Sequence, residues 1–245
     1  MITRRKLLKS AATAAGMAGM FSWPLKWSVA KELIHPDEKS VLIVVDVQNC
    51  FTEGGTLPVP DGAAVIPVIN RIAPVFSLIV ITQDWHTVGH ASFASAYDYK
   101  KPFDTVKLEY GAQVLWPDHC IQGTQDAAVH KALELPGAQL ILRKGYHQSI
   151  DSYSAFTEAD RKTTTGLGGY LSAQGIQSVF VTGLATDFCV AWTAIDARSA
   201  GFKTYVVEDA CRAIDLNGSL AQAWEKMTHE GVKRIQSTDL ALHPA

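Results

Sequence analysis

Residues 178–197, SVFVTGLATDFCVAWTAIDA, carry the chain from a strand into a helix within a few residues. The run at 178–182 has the unbroken β-prone character of a buried strand, and from Phe188 the apolar positions recur at helical spacing. Cys189 therefore falls on a strand-to-helix turn. Thr186 or Asp187 is expected to cap the helix, and the free N–H groups of its first turn favour a thiolate over a thiol. Such a turn presents a nucleophile. A small buried core residue is the alternative, and on this stretch alone the two readings stand about even.

The same strand signature occurs at 41–45 (VLIVV), 78–81 (LIVI), 140–142 (LIL) and 205–207 (YVV). Helical stretches are predicted between these runs at 63–72, 126–133, 165–174, 188–199 and 219–229. Wholly apolar strands alternating with helices imply an α/β protein. The architecture expected is three-layered, α/β/α, around a central, mostly parallel sheet. The interval from Trp85 to Gln122 shows no regular pattern, and a loop of that length in a compact domain is usually functional.

The chain has 245 residues and reads as one domain behind a separate N-terminal segment. In that segment, Thr3-Arg4-Arg5-Lys6-Leu7-Leu8-Lys9 precedes a weakly apolar, small-residue run from Ala11 to Phe21, the pattern of a twin-arginine export signal. Ser28-Val29-Ala30 offers small residues for cleavage. A cleaved signal at 1–30, a domain at 31–245 and a periplasmic or otherwise exported location are therefore expected. Residues 1–30 hold five basic residues, so 17 basic face 24 acidic residues in the remainder, and no basic patch points to nucleic acid. Cys50, Cys120, Cys189 and Cys211 are too few and too scattered for a disulfide framework, and a disulfide among the three other than Cys189 stays open.

In parallel sheets ligands bind beyond the carboxyl ends of the strands. Asp46 closes the first run, Asp84 and His86 follow the second, Arg143 and Lys144 the third, and Cys189 the fourth. A carboxylate behind four β-prone residues is partly desolvated, which raises its pKa and makes Asp46 a competent acceptor of a thiol proton. Lys144 beside Cys189 would favour the thiolate, whereas an ordinary strand-end lysine is solvated. Asp84 and His86 are two apart, so in an extended segment they point the same way. His90 lies four further on, and His119 can add a nitrogen from the long loop. One carboxylate with two imidazoles and open positions is catalytic-type ligation for Zn²⁺, Fe²⁺ or Mn²⁺. Whether His90 is an extra ligand stays open.

Taken together, VDVQNCF (45–51) with Gly54-Gly55, TQDWH (82–86), H-x-S-F (90–93), WPDHCIQGT (116–124), RKG (143–145) followed by YSAF (153–156), and GLATDFCV (183–190) with TAIDA (193–197) resemble the nicotinamidases of the isochorismatase-like cysteine hydrolases. The resemblance runs in collinear order over about residues 40–211. It implies the isochorismatase-like hydrolase fold, Asp46, Lys144 and Cys189 as catalytic triad, and Asp84, His86 and His119 as ligands of one divalent ion, Zn²⁺ before Fe²⁺ or Mn²⁺. It implies Phe51 and Trp116 as aromatic walls of the substrate pocket. It also implies a cis peptide before Ala185, whose turn aims the Ala185 and Cys189 N–H groups at one point as an oxyanion hole. The chain departs from the common family pattern in having Cys50 for an acidic residue and Thr87 for proline.

The expected activity is metal-dependent hydrolysis of nicotinamide, or a similar pyridine carboxamide, to the acid and ammonia through a thioester on Cys189. Expected partners are that small molecule and the twin-arginine translocase; a homo-oligomer is admitted and nucleic acid is not. Two rivals remain at this point. One is a related amidase acting on a carbamoyl or ureido substrate, against which the complete Asp84, His86 and His119 set speaks. The other is an inactive periplasmic protein that binds a small molecule or a metal.

Overall fold

A computed structural model describes residues 32–242. The export signal read at 1–30 lies outside them. Six strands form one sheet in the order β5-β2-β1-β6-β7-β8: β1 (Ser40–Val45), β2 (Leu78–Asp84), β5 (Leu140–Lys144), β6 (Ser178–Leu184), β7 (Lys203–Arg212) and β8 (Lys233–Ile235). All five pairings are parallel. Strands β3 (Thr105–Leu108) and β4 (Gly111–Val114) make a separate antiparallel hairpin.

The period-two alternation of β1 sorts its side chains between two cores. Leu42 and Val44 pack with Val65, Ile66, Ile69 and Ile72 of α1 (Val65–Ile72). Val41, Ile43 and Val45 face the other way, onto Leu167 and Leu171 of α2 (Leu167–Ala173), Ala194 of α3 (Ala191–Ser199) and Met227 of α4 (Ser219–His229). Because both faces of β1 are covered, all six of its residues are buried, and only apolar side chains, with Ser40 at the entry, fill them. This is the three-layer α/β/α arrangement, with a sheet that is parallel throughout.

Several expectations need correction. Residues 126–133 form no helix. Their backbone instead runs beside 47–50, with Asn49 N donating to Ala128 O (3.0 Å), Cys50 N to Asp126 O (2.8 Å) and His130 N to Val47 O (2.9 Å), so the groups an α-helix needs are taken. Strand β5 is not buried on both faces; it is the sheet edge, and Ile141 is 55% exposed. The interval 85–122 contains the β3–β4 hairpin, and β8 was not anticipated because three residues carry too little pattern. Neither Thr186 nor Asp187 caps a helix. Residues Thr186–Val190 form a single wide turn closed by Val190 N on Ala185 O (3.1 Å), and the Asp187 carboxylate accepts from Ile214 N, Asp215 N and Ser219 Oγ instead.

Candidate active site

The strand order places the chemistry. The chain winds from β1 outward through β2 to β5, then returns to lay β6, β7 and β8 on the other side, so the topological switch falls between β1 and β6. At the carboxyl ends of the four neighbouring strands β5, β2, β1 and β6 stand Lys144, Asp84, Asp46 and, one turn later, Cys189. Asp84 and Lys144 are register partners, which turns their side chains to the same face.

Lys144 is wholly buried and serves as the hub. Its Nζ lies 2.8 Å from Asp46 Oδ2, contacts Asp84 Oδ1, and donates to Ser152 O (2.9 Å) and toward Cys189 Sγ (3.4 Å). Asp46 has a left-handed backbone (φ 49°), tolerable for aspartate, and its Oδ1 accepts from Thr82 Oγ1 at 2.5 Å. Burial acts on each group. It raises the Asp46 carboxyl despite Lys144, and it raises the Cys189 thiol well above the ordinary range against the pull of Lys144. Burial would lower Lys144, but Asp46 and Asp84 outweigh it and hold the ammonium charged. Burial thus favours the thiol over the thiolate at rest, against the pull of Lys144.

Asp84, His86 and His119 converge. His86 Nε2 lies 3.6 Å and His119 Nε2 3.9 Å from Asp84 Oδ2. His86 Nδ1 bonds to Gly145 O and His119 Nδ1 to Pro117 O, both at 2.8 Å. A carbonyl only accepts, so each ring carries a proton on Nδ1 and turns Nε2 toward the carboxylate, the nitrogen it would offer to a divalent ion. Burial pulls His119 down to about 4; it acts the same way on His86, where Asp84 outweighs it and raises that ring. Asp84 itself is held below the ordinary carboxylate range because Lys144 and the two imidazoles outweigh its burial. His90 is placed differently. Its Nδ1 meets Ser92 (Oγ 2.8 Å, N 3.2 Å) and its Nε2 the His147 carbonyl (3.1 Å), while its ring rests on His86 at 4.3 Å between centroids. With both nitrogens engaged, it supports the His86 ring.

Asp84, His86, His119 and Cys189 line one small, narrow pocket whose walls are largely aromatic. Phe51 and Trp116 both line it, with Phe51 against His119 (5.5 Å between centroids) and Trp116 edge-on to Phe188 (4.8 Å). Ala185 lies there too, and the Leu184–Ala185 peptide is cis. Reading the sequence missed Asp151, Tyr153 and Phe188 in the lining. Tyr153 belongs to the YSAF motif, and its hydroxyl accepts from Trp116 Nε1 (3.0 Å), fixing that wall. A disulfide joins Cys50 to Cys120, the neighbours of Phe51 and His119, whereas Cys211 is free and buried.

Residues 40–239 match the isochorismatase domain, and the chain belongs to that family of hydrolases. Within it, the chain is 62% identical over 199 residues to the nicotinamidase of Acinetobacter baylyi, covering 81% of this chain and 93% of that one. A solved nicotinamidase/pyrazinamidase from Acinetobacter baumanii superposes with a TM-score of 0.83 at 61% identity, over 84% of this chain and 99% of the other. The pyrazinamidase of Pyrococcus horikoshii, solved in complex with zinc, superposes with a TM-score of 0.65 at 33% identity, over 81% and 99% of the two chains.

Proposed function

We infer that this chain is a nicotinamidase, hydrolysing nicotinamide to nicotinate and ammonia. The observation that carries the reading is the contact of one buried lysine with Asp46, Asp84 and Cys189, beside the convergent imidazoles of His86 and His119, at an aromatic-lined pocket. The identity to the Acinetobacter enzyme supports the substrate over a carbamoyl or ureido compound, and a complete triad speaks against an inactive binding protein.

The substrate ring lies between Phe51 and Trp116. Asp84, His86 and His119 would hold a divalent ion, for which the zinc complex of the Pyrococcus relative supports zinc, and the ion would supply a Lewis acid for the pyridine nitrogen. Asp46, its basicity raised by burial, takes the Cys189 proton as sulfur attacks the carboxamide carbon. Lys144 stabilises the developing thiolate and keeps Asp46 in place. The Ala185 and Cys189 N–H groups receive the oxyanion. Asp46 returns the proton to departing ammonia, then takes one from the water that attacks the thioester, and gives it back to Cys189 sulfur as the C–S bond breaks and the acid leaves. The test is ammonia release from nicotinamide by the purified protein and by Cys189→Ala. The wild type is expected to turn over, and the variant to bind nicotinamide with turnover down by at least about a thousandfold. Residual activity within tenfold of wild type would rule out the covalent route.

The twin-arginine pattern at 1–30 supports export, and the Cys50–Cys120 disulfide supports residence in an oxidising compartment. Fractionation of cells carrying the full chain, beside an Arg4→Lys/Arg5→Lys variant, tests this. Equal cytoplasmic retention of both would exclude the route.

A further inference from the structure

Asp151 sits in the loop after β5, 2% exposed, and lines the pocket together with Asp84, His86 and His119. Its Oδ1 accepts from Ser152 N and its Oδ2 from Gln113 Nε2, both at 2.8 Å. Both oxygens thus act as acceptors, the arrangement of an ionised carboxylate. The other two carboxylates of the site, Asp84 in the lining and Asp46 behind it, share Lys144. Asp151 does not: among the described residues no Lys, Arg or His nitrogen stands within 4.0 Å of it. Two neutral amide donors do not compensate a buried negative charge, and such charges persist where they are paired or face a metal. The geometry indicates where the missing positive charge belongs. Asp151 and ring nitrogens of His86 and His90 all fall within 4.8 Å of one another, and His86 is one of the three convergent donors.

We propose that Asp151 is a further residue of the metal centre, a carboxylate whose counter-charge is the divalent ion held by Asp84, His86 and His119. It acts by charge, as a positioning residue, strengthening retention of the ion. The proposal rests on the metal reading above and goes beyond it by assigning a residue that contributes no part of the three-ligand set. It also accounts for Gln113, a buried side chain on β4 that donates to Asp151 and, at 3.2 Å, to the Tyr153 hydroxyl, tying the carboxylate to the wall of the pocket.

The experiment is a zinc titration of the metal-stripped protein against a chromophoric chelator, beside thermal melts of the metal-free forms. Asp151→Asn keeps the shape and the acceptor for Ser152 N and loses the charge; Asp151→Glu keeps the charge. Asparagine is expected to raise the zinc dissociation constant about 10- to 100-fold, the range typical of residues behind a ligand shell, with glutamate recovering most of the affinity. The metal-free melting temperature of Asp151→Asn should equal or exceed that of wild type, because an uncompensated charge has been removed. A structural role predicts the reverse, so a lower metal-free melting temperature, or failure of this variant to fold, overturns the proposal. So does an asparagine variant that binds zinc within twofold of wild type. Wild-type protein that takes up no zinc overturns the metal reading itself, and this proposal with it.

Discussion

Lys144 Nζ stands 2.8 Å from Asp46 Oδ2 with both side chains wholly buried, so the catalytic carboxylate and its ammonium were taken out of water together. Removing one partner of such a pair leaves an uncompensated charge. Lys144→Met should therefore lower stability by about 3–5 kcal/mol in urea unfolding and drive the Asp46 carboxyl further up. A loss below about 1 kcal/mol would show that Lys144 does not neutralise the two aspartates.

Alkylation of Cys189 reads the resting protonation state. Burial lifts the thiol above its ordinary value of 9.0, so the neutral form prevails at neutral pH and the thiolate fraction grows as pH rises. Inactivation by iodoacetamide should then climb continuously through about pH 9, with no plateau at lower pH. A plateau near neutrality would instead reveal a preformed thiolate–ammonium pair.

Gly145 has a left-handed backbone (φ 64°), and a Cβ there would lie 2.6 Å from His86 Cε1 and 2.9 Å from its Nδ1. Gly145→Ala must displace the imidazole from the position in which its Nε2 faces Asp84. The expected result is a protein that folds, binds zinc at least about tenfold more weakly and loses activity in proportion, recovering part of it at high zinc. Unchanged zinc affinity would mean that the ring has another resting place.

Metal removal separates positioning from bond cleavage. If the ion holds the pyridine nitrogen, benzamide should be a poor substrate, and its slow turnover should depend far less on metal than that of nicotinamide. Circular dichroism must confirm that the chelated protein stays folded, since loss of metal can also loosen the 85–122 segment. Benzamide turned over as well as nicotinamide by the metal-loaded enzyme would exclude the ring-nitrogen role.

Asp46, Asp84, Lys144 and Cys189 were legible because each follows an apolar run, and a parallel sheet gathers the ends of such runs on one side. The contact of Asp84 with Lys144 was not, since it depends on the register between β2 and β5, which are 60 residues apart at this pair. Asp151 and Tyr153 lie in an irregular loop where no periodicity marks a face. Residues 126–133 misled because apolar spacing says nothing of backbone partners, and here 47–50 had claimed them. The cysteine pairing, left open between three thiols, was decided by the meeting of two distant loops.

That cross-link also changes the covalent topology of the chain. Cys50 and Cys120 are 70 residues apart, so everything between them, from Phe51 to His119, is a closed ring that carries all three metal-ligand candidates. The ring includes the β3–β4 hairpin, where Lys107 and Glu109 are exposed. A trypsin cut after Lys107 opens the ring without dividing the molecule: the two pieces stay joined and run as one band on a non-reducing gel, separating only when the disulfide is reduced. The oxidised protein can thus be nicked in this exposed hairpin and still keep both halves of its pocket on one covalent frame.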